Sequence, residues 1–192
     1  MKLSIIIPVY QVENYIHPCL ASVYRQGLND SDFEVILIND GTLDGSFNRI
    51  TDIISAHHNI TIIEQENHGL SAARNIGMNR AIGTYIMFLD SDDVLVDNSL
   101  TPMLQDLEKH QPDLLVADFI KCEDHEVCKK SPIPQTDYHS NIHTGSELFV
   151  KELNPRESYV WRTLYRRAFL NENHLHFIDG IYFEDVPFTT EC

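Results

Sequence analysis

The run Asp90-Ser91-Asp92-Asp93 sets three carboxylates within four positions, directly after the apolar stretch Tyr85 to Leu89. Carboxylates packed this closely repel one another unless something positive sits among them. Hard oxygen ligands suit Mg²⁺ or Mn²⁺, ions that keep coordination sites for water and substrate phosphate. The alternative is a helix or turn cap made by one aspartate, with the others solvated. A second group, Asn39-Asp40-Gly41-Thr42-Leu43-Asp44-Gly45, follows another apolar run. Asp40 could accept hydrogen bonds from a nucleobase or ribose, and Gly41 lets the backbone turn close to a ligand. The same residues would also serve as a turn that caps the next helix. Arg74 could reach a phosphate or brace a site carboxylate, or it could be an exposed helix arginine. Glu184-Asp185 could supply a general base if the fold brings it opposite the acidic triplet. An acidic pair at a helix start, favoured by the macrodipole, is the other reading.

These residues need elements to position them. Leu3 to Val9, Phe33 to Ile38, Ile60 to Ile63 and Tyr85 to Leu89 are short, β-branched or aromatic, and not strictly alternating. That is the pattern of strands buried on both faces of a parallel sheet. Between them Ile16, Cys19, Leu20 and Val23 fall on one helical face, and Phe47, Ile50, Ile53 and Ile54 repeat the spacing after a cap at Asp44 or Ser46. Ser71 to Ile82 is a third helix, stopped before Gly83. The alternation predicts an α/β fold, a mainly parallel central sheet with helices on both faces. Ligands of such sheets sit beyond the carboxyl ends of the strands, where Tyr10 to Glu13, Asn39 to Asp44, Glu64 to Asn67 and Asp90 to Asp93 all carry carboxylates. Further on, Leu100, Met103, Leu104 and Leu107 predict a helix and Asp113 to Ala117 a short strand. Cys122 to Asn141 reads as a polar loop, and Thr144 with Glu147 as a capping box opening a helix through Leu148 and Phe149.

The chain of 192 residues is long enough for one domain core, and its 43% hydrophobic and 22% charged residues are those of a packed globular protein. With 14 Lys and Arg against 29 Asp and Glu, the formal charge of -15 repels nucleic acid and anionic membrane surfaces. A small anionic ligand at these carboxylates would need a cation beside it. Met1-Lys2 and the apolar run after it meet Glu13 without a small-residue cleavage site, so the run reads as a buried strand and not a signal peptide. No stretch approaches the roughly 18 to 20 apolar residues of a membrane span. The four cysteines show neither zinc spacing nor disulfide density and predict reduced thiols; Cys122, His125 and Cys128 lack an obvious fourth ligand.

Taken in order, Ser4-Ile5-Ile6-Ile7-Pro8-Val9-Tyr10 with Glu13, Asn39-Asp40-Gly41-Thr42 with Asp44, Asn67 to Gly77, and Tyr85 to Asp93 resemble the family 2 glycosyltransferases. Trp161 to Arg167 and Phe183-Glu184-Asp185 extend the resemblance more thinly. It implies a glycosyltransferase-A fold. It also implies an inverting transfer of a sugar from a nucleoside-diphosphate sugar, commonly a UDP sugar, to the hydroxyl of a glycan or glycolipid acceptor. Carried over residue by residue, Asp40 would contact the base, and Pro8, Tyr10 and Glu13 would shape the nucleoside pocket. Asp92 would hold Mn²⁺ or Mg²⁺, Asp90 would orient the donor, Arg74 would organise the nucleotide site, and Asp185 would be the base.

Residues 1–97 would form the nucleotide-sugar-binding half, and 98–192 the metal-site and acceptor half of the same domain. Gln11 replaces the family's usual Asn, and Arg162-Thr163 its usual Asn-Lys, which bears on donor or acceptor preference. Because family members usually continue past the base, the chain is expected to be C-terminally incomplete. A cytoplasmic location is expected, at the inner membrane face if a further region anchors it. Glycines absent after the first strand count against a dinucleotide-binding oxidoreductase, and no Gly-rich loop ending in Lys-Ser or Lys-Thr supports a P-loop phosphotransferase. A non-catalytic sugar-nucleotide-binding or assembly module is the alternative of a different class.

Overall fold

The computed structural model describes residues 1–121, 141–145, 147 and 159–192. Leu3–Val9 forms β1, and every one of its residues is buried. The strand repeat of two divides its side chains between two cores. Leu3, Ile5, Ile7 and Val9 enter one cluster, with residues of helices α1 (Ile16–Val23) and α4 (Leu100–His110). Ile6 enters the other, with Ala73 of α3 (Leu70–Arg80) and Phe188 of the last helix, α6 (Asp185–Glu191). Helices therefore cover both faces, as the unbroken apolar runs require.

The remaining strands are β2 (Phe33–Asp40), β3 (Ile60–Gln65), β4 (Tyr85–Phe88), β5 (Leu114–Val116) and β6 (Thr163–Arg166), in the sheet order β3-β2-β1-β4-β6-β5. β3, β2, β1 and β4 run parallel, while β6 is antiparallel to both β4 and β5. The chain leaves β1 for β2 and β3 on one side and then crosses to β4 on the other. The carboxyl ends of β1 and β4 thus flank the topological switch point, where open α/β sheets bind ligands.

The expected strands and the helices expected around Ile16, Ser71 and Leu100 are present with shifted ends. β2 and β3 run two residues past their apolar stretches because Asn39 pairs with Glu64 and Asp40 with Gln65, continuing the ladder. Phe47 to Ile54 is not one helix: a 3₁₀ turn, Phe47–Ile50, leads into the short α2, Thr51–Ala56. Ser46 does not cap it by its side chain. Its hydroxyl instead donates to Asp44 and accepts the Val12 N–H. The strand β6 and the short α5 (Arg167–Glu172) that follows it had no distinct sequence signal. The expected capping box forms: Thr144 N–H donates to Glu147 Oε2 at 2.9 Å and Glu147 N–H to Thr144 Oγ1 at 3.4 Å. The helix expected through Leu148 and Phe149 falls outside the described residues, as do Cys122, His125 and Cys128. Among the described residues no helix is long and apolar enough to cross a membrane.

Candidate active site at the switch point

Arg74 lies in α3, on the face turned toward the sheet, and is 1% exposed. A buried guanidinium needs acceptors and opposite charge. Three carboxylates supply both. Nη2 donates to Asp90 Oδ1, and Nη1 to Glu184 Oε1 and Asp185 Oδ1, each at 2.7 Å. The Phe177 ring, 5.3 Å from Arg74 Cζ, adds its negative face. The reading of Arg74 as an exposed helix arginine is therefore overturned; it braces the carboxylates of Asp90, Glu184 and Asp185.

This arrangement joins the end of β4 to the start of α6. Glu184 and Asp185 stand at the start of α6, so the acidic pair at a helix start is also the pair that meets Arg74. The second oxygen of Asp185 accepts the Val160 N–H at 3.3 Å. One guanidinium cannot balance three ionised carboxylates. Burial pushes the Asp185 carboxyl up to about 6; Arg74 opposes the rise, and Asp90 and Glu184 add to it. Such a group changes charge near neutral pH, which suits a proton acceptor in catalysis. Glu184, read in sequence only as one of an acidic pair that could supply a base, proves to be a partner of Arg74 from 110 residues away, and the Val160 N–H, a backbone donor, leaves no sequence mark.

The acidic triplet is not gathered into one ligand set. Asp90 turns to Arg74, while Asp92 and Asp93 are exposed. Among the described residues no three His, Cys, Asp or Glu side chains stand together as a metal cluster. The turn is tight, with Asp93 N–H on Asp90 O at 3.0 Å, and it rests on the Cys19 thiol, which donates to the same carbonyl at 3.5 Å. Burial raises the Cys19 pKa, and Asp93, Asp90 and Asp92 add to that rise. No described side chain hydrogen-bonds or ion-pairs with the Asp92 carboxylate.

On the other flank, the loops after β1 and β2 are latched together. Gln11 N–H donates to Thr42 Oγ1 at 2.8 Å, and Glu13 N–H to Asp44 Oδ2 at 3.0 Å. Glu13 Oε2 accepts the Gly45 N–H at 3.1 Å, and Glu13 Oε1 pairs with Arg49. Burial alone would raise the Asp44 carboxyl, but hydrogen bonds from Ser46, Thr42 and Glu13 hold it down at about 2. Pro8 is buried within β1, whereas Tyr10 at its end is 43% exposed. Asp40, at the end of β2, is buried and accepts from Gln65 Nε2 at 2.6 Å, His68 N–H at 2.9 Å and Gly69 N–H at 3.0 Å. It therefore tethers the segment that opens α3, not the helix that follows its own strand. A carboxylate has about four acceptor positions, so three donors leave room for another.

A mainly parallel sheet with an antiparallel sixth strand, carrying its carboxylates and buried arginine at the switch point, defines a nucleotide-diphospho-sugar transferase fold of the glycosyltransferase-A type. The chain belongs to glycosyl transferase family 2, whose model matches residues 4–173. It is similar to the uncharacterized glycosyltransferase EpsJ of Bacillus subtilis, 37% identical over 190 residues, which cover 96% of this chain and 54% of EpsJ. Among solved structures it is similar to S. aureus TarS in complex with UDP-GlcNAc, with a TM-score of 0.82 and 23% identity, covering 100% of this chain and 53% of that one. The mannosyltransferase PcManGT from Pyrobaculum calidifontis in complex with GDP-Man and Mn²⁺ gives a TM-score of 0.67 at 16% identity, over 96% of this chain and 50% of that one. The chain thus spans about half the length of these relatives.

Proposed function

We propose that this chain carries the donor site and base of an inverting glycosyltransferase. It moves a sugar from a nucleoside-diphosphate sugar, a UDP sugar in the first instance, to the hydroxyl of a glycan or glycolipid acceptor in polysaccharide or cell-surface glycan synthesis. The observation that carries this proposal is Asp185, a carboxyl raised to about 6 and held by Arg74 beside Asp90 at the end of β4. In the step proposed, the Asp185 carboxylate takes the acceptor proton as the acceptor oxygen bonds the anomeric carbon. The bond from that carbon to the diphosphate breaks on the opposite side, and the electron pair leaves with the diphosphate.

Family membership and the TarS and PcManGT folds support a nucleotide-sugar donor; those two proteins were captured with UDP-GlcNAc and with GDP-Man and Mn²⁺. On this chain Tyr10, Pro8, Glu13 and Asp40 would hold the nucleoside, Asp40 using its remaining acceptor position. Arg74 would act through Asp90, Glu184 and Asp185, setting the position and charge of the carboxylates that face the donor.

Asp92 alone of the triplet would be left to hold Mn²⁺ or Mg²⁺, since Asp90 is taken by Arg74. Such ions are commonly held by one or two carboxylates, with substrate phosphate and water completing the shell, and Asp92 is exposed with its oxygens uncommitted among the described residues. Bound there, the ion would neutralise the departing diphosphate. The cytoplasmic location expected from the sequence belongs to the same proposal.

The test is a melting screen of the chain with UDP, with and without Mn²⁺, repeated on Asp92→Ala. Saturation at 100 times Kd adds about 2.7 kcal/mol to stability. Stabilisation by UDP with Mn²⁺ that is lost in Asp92→Ala is expected, together with transfer from a UDP sugar; equal responses in both proteins would defeat the metal assignment. Stabilisation without transfer or donor hydrolysis in the full-length chain would point to a non-catalytic binding module.

A further inference from the structure

Directly before Glu184 and Asp185 the chain presents two aromatic rings to solvent, Tyr182 at 93% exposure and Phe183 at 83%. Neither belongs to a core cluster. Ile178, Ile181 and Val186 are exposed around them. This segment is moored at both ends. Phe177 is buried, its N–H donates to Asn75 Oδ1 at 2.9 Å, and Asn75 Nδ2 reaches Phe177 O and Asp179 Oδ1. After the apex, Val186 N–H donates to Phe183 O at 3.1 Å and the chain enters α6. Phe183 itself has a φ of 60°, a left-handed backbone that bulky residues rarely adopt. Strained residues persist where surrounding structure holds them and cluster at functional sites, while exposed apolar patches mark surfaces that bind.

The position narrows what binds. Consecutive Cα atoms are about 3.8 Å apart, so Phe183 lies within roughly 7.6 Å of Asp185 along the backbone. An acceptor hydroxyl must come within about 2.6 to 3.2 Å of the base, so a ring carrying it must cover the surface within a residue or two of Asp185. In the transfer proposed above, Asp90 and Asp92 serve the donor, which leaves the segment ending at Phe183, beside the base in the chain, for the acceptor. An anionic membrane is a poor occupant for a chain of net charge -15. A neutral sugar is well matched. Its axial C–H groups carry slight positive charge and meet the negative face of an aromatic ring.

We infer, on the footing of the transfer proposed above, that Tyr182 and Phe183 form the acceptor platform, on which a pyranose ring lies with a hydroxyl directed at Asp185. The platform fixes the acceptor and takes no part in the proton transfer.

Saturation-transfer NMR on the full-length chain with UDP and Mn²⁺ tests this, using the methyl β-pyranosides of glucose, galactose and N-acetylglucosamine as probes. At least one pyranoside is expected to bind, with Kd rising about fivefold or more in Tyr182→Ala and in Phe183→Ala, and staying within about twofold in Tyr182→Phe. Phe183→Gly accepts the same backbone, so it is expected to keep the melting temperature while losing the pyranoside. Absence of binding by the unaltered protein, or an unchanged Kd in both alanine variants, would overturn the platform. UDP-induced melting shifts on the same samples separate the two proposals. UDP binding without pyranoside binding removes the platform alone, and no response to UDP removes the transfer reading beneath it.

Discussion

Arg74 Nη1 lies 2.7 Å from Asp185 Oδ1, and this bond joins a helix packed on β1 to one that begins 111 residues later. Arg74 also holds Asp90 and Glu184, so its removal strands three carboxylates around a buried space. Arg74→Leu is expected to cost about 3 kcal/mol, the range for breaking a buried ion pair from one side. Arg74→Lys keeps the charge but loses the planar fork that reaches separate acceptors, and should fall between the two. Urea unfolding midpoints measure both; a Leu variant as stable as the parent would show that the network contributes nothing to the fold.

Asp185 links the site to pH. Its folded value of about 6 stands above the ordinary carboxylate range near 3.9, so the folded chain binds this proton more tightly than the unfolded chain does. The contribution of Asp185 to stability is therefore greatest below pH ~4 and is lost as the pH rises through about 6. Activity runs the opposite way, because only the carboxylate accepts a proton. Transfer, as kcat/KM, is expected to rise with an acid limb near pH 6. Asp185→Asn should cut turnover by about 10² to 10⁴ while UDP still stabilises the protein. It should also flatten the decline of stability between pH 4.5 and 7. Undiminished transfer by this variant would remove Asp185 from the mechanism.

The parts of this molecule legible in the sequence are those whose signal is local. Leu3–Val9 is apolar throughout because both faces of β1 are covered, and its limits can be read directly. The carboxyl-end clusters are legible for the same reason, since a parallel sheet places its ligand residues just after its strands. β6 is different. Thr163-Leu164-Tyr165-Arg166 is too short and mixed to declare itself, and it becomes a strand by pairing with Met87, Ile86 and Tyr85 far behind it in the chain. Which carboxylates Arg74 braces was equally hidden. Asp90 looks like a partner of Asp92 in sequence, yet a buried arginine sixteen residues earlier takes it inward.

Asp44 offers a second pH test, of opposite sign. Its carboxyl is held at about 2, below the ordinary value, so the stability it contributes is present above pH ~4 and is lost as the pH falls toward about 2. The carboxylate accepts from Glu13 N–H, Thr42 Oγ1 and both donors of Ser46, closing the loop after β2 onto the loop after β1. Asp44→Ala is expected to lower stability by about 1 kcal/mol, since the site is exposed and water replaces part of what is lost. Faster amide exchange at Glu13 and Ser46 than in the parent would report the opened latch, and unchanged exchange would show that the loops hold without it.

Gly77 tests how closely α3 must lie against the sheet. A Cβ at this position would overlap Ile6 Cγ2, and Ile6 is fully buried in the middle of β1. Helix propensity favours alanine over glycine by about 1 kcal/mol, so an exposed site would gain from the change. Here the added methyl forces either the helix or the strand to move, at a cost of about 1 to 3 kcal/mol. Gly77→Ala is therefore expected to destabilise the protein on balance. The effect should reach the site as well, because Arg74 stands three residues earlier, nearly one helical turn away, with its guanidinium set by three bonds of 2.7 Å. A displaced helix should shift the acid limb of kcat/KM along with the urea midpoint. A variant that gains stability and keeps its pH profile would show that α3 can lift from β1 without disturbing the carboxylates.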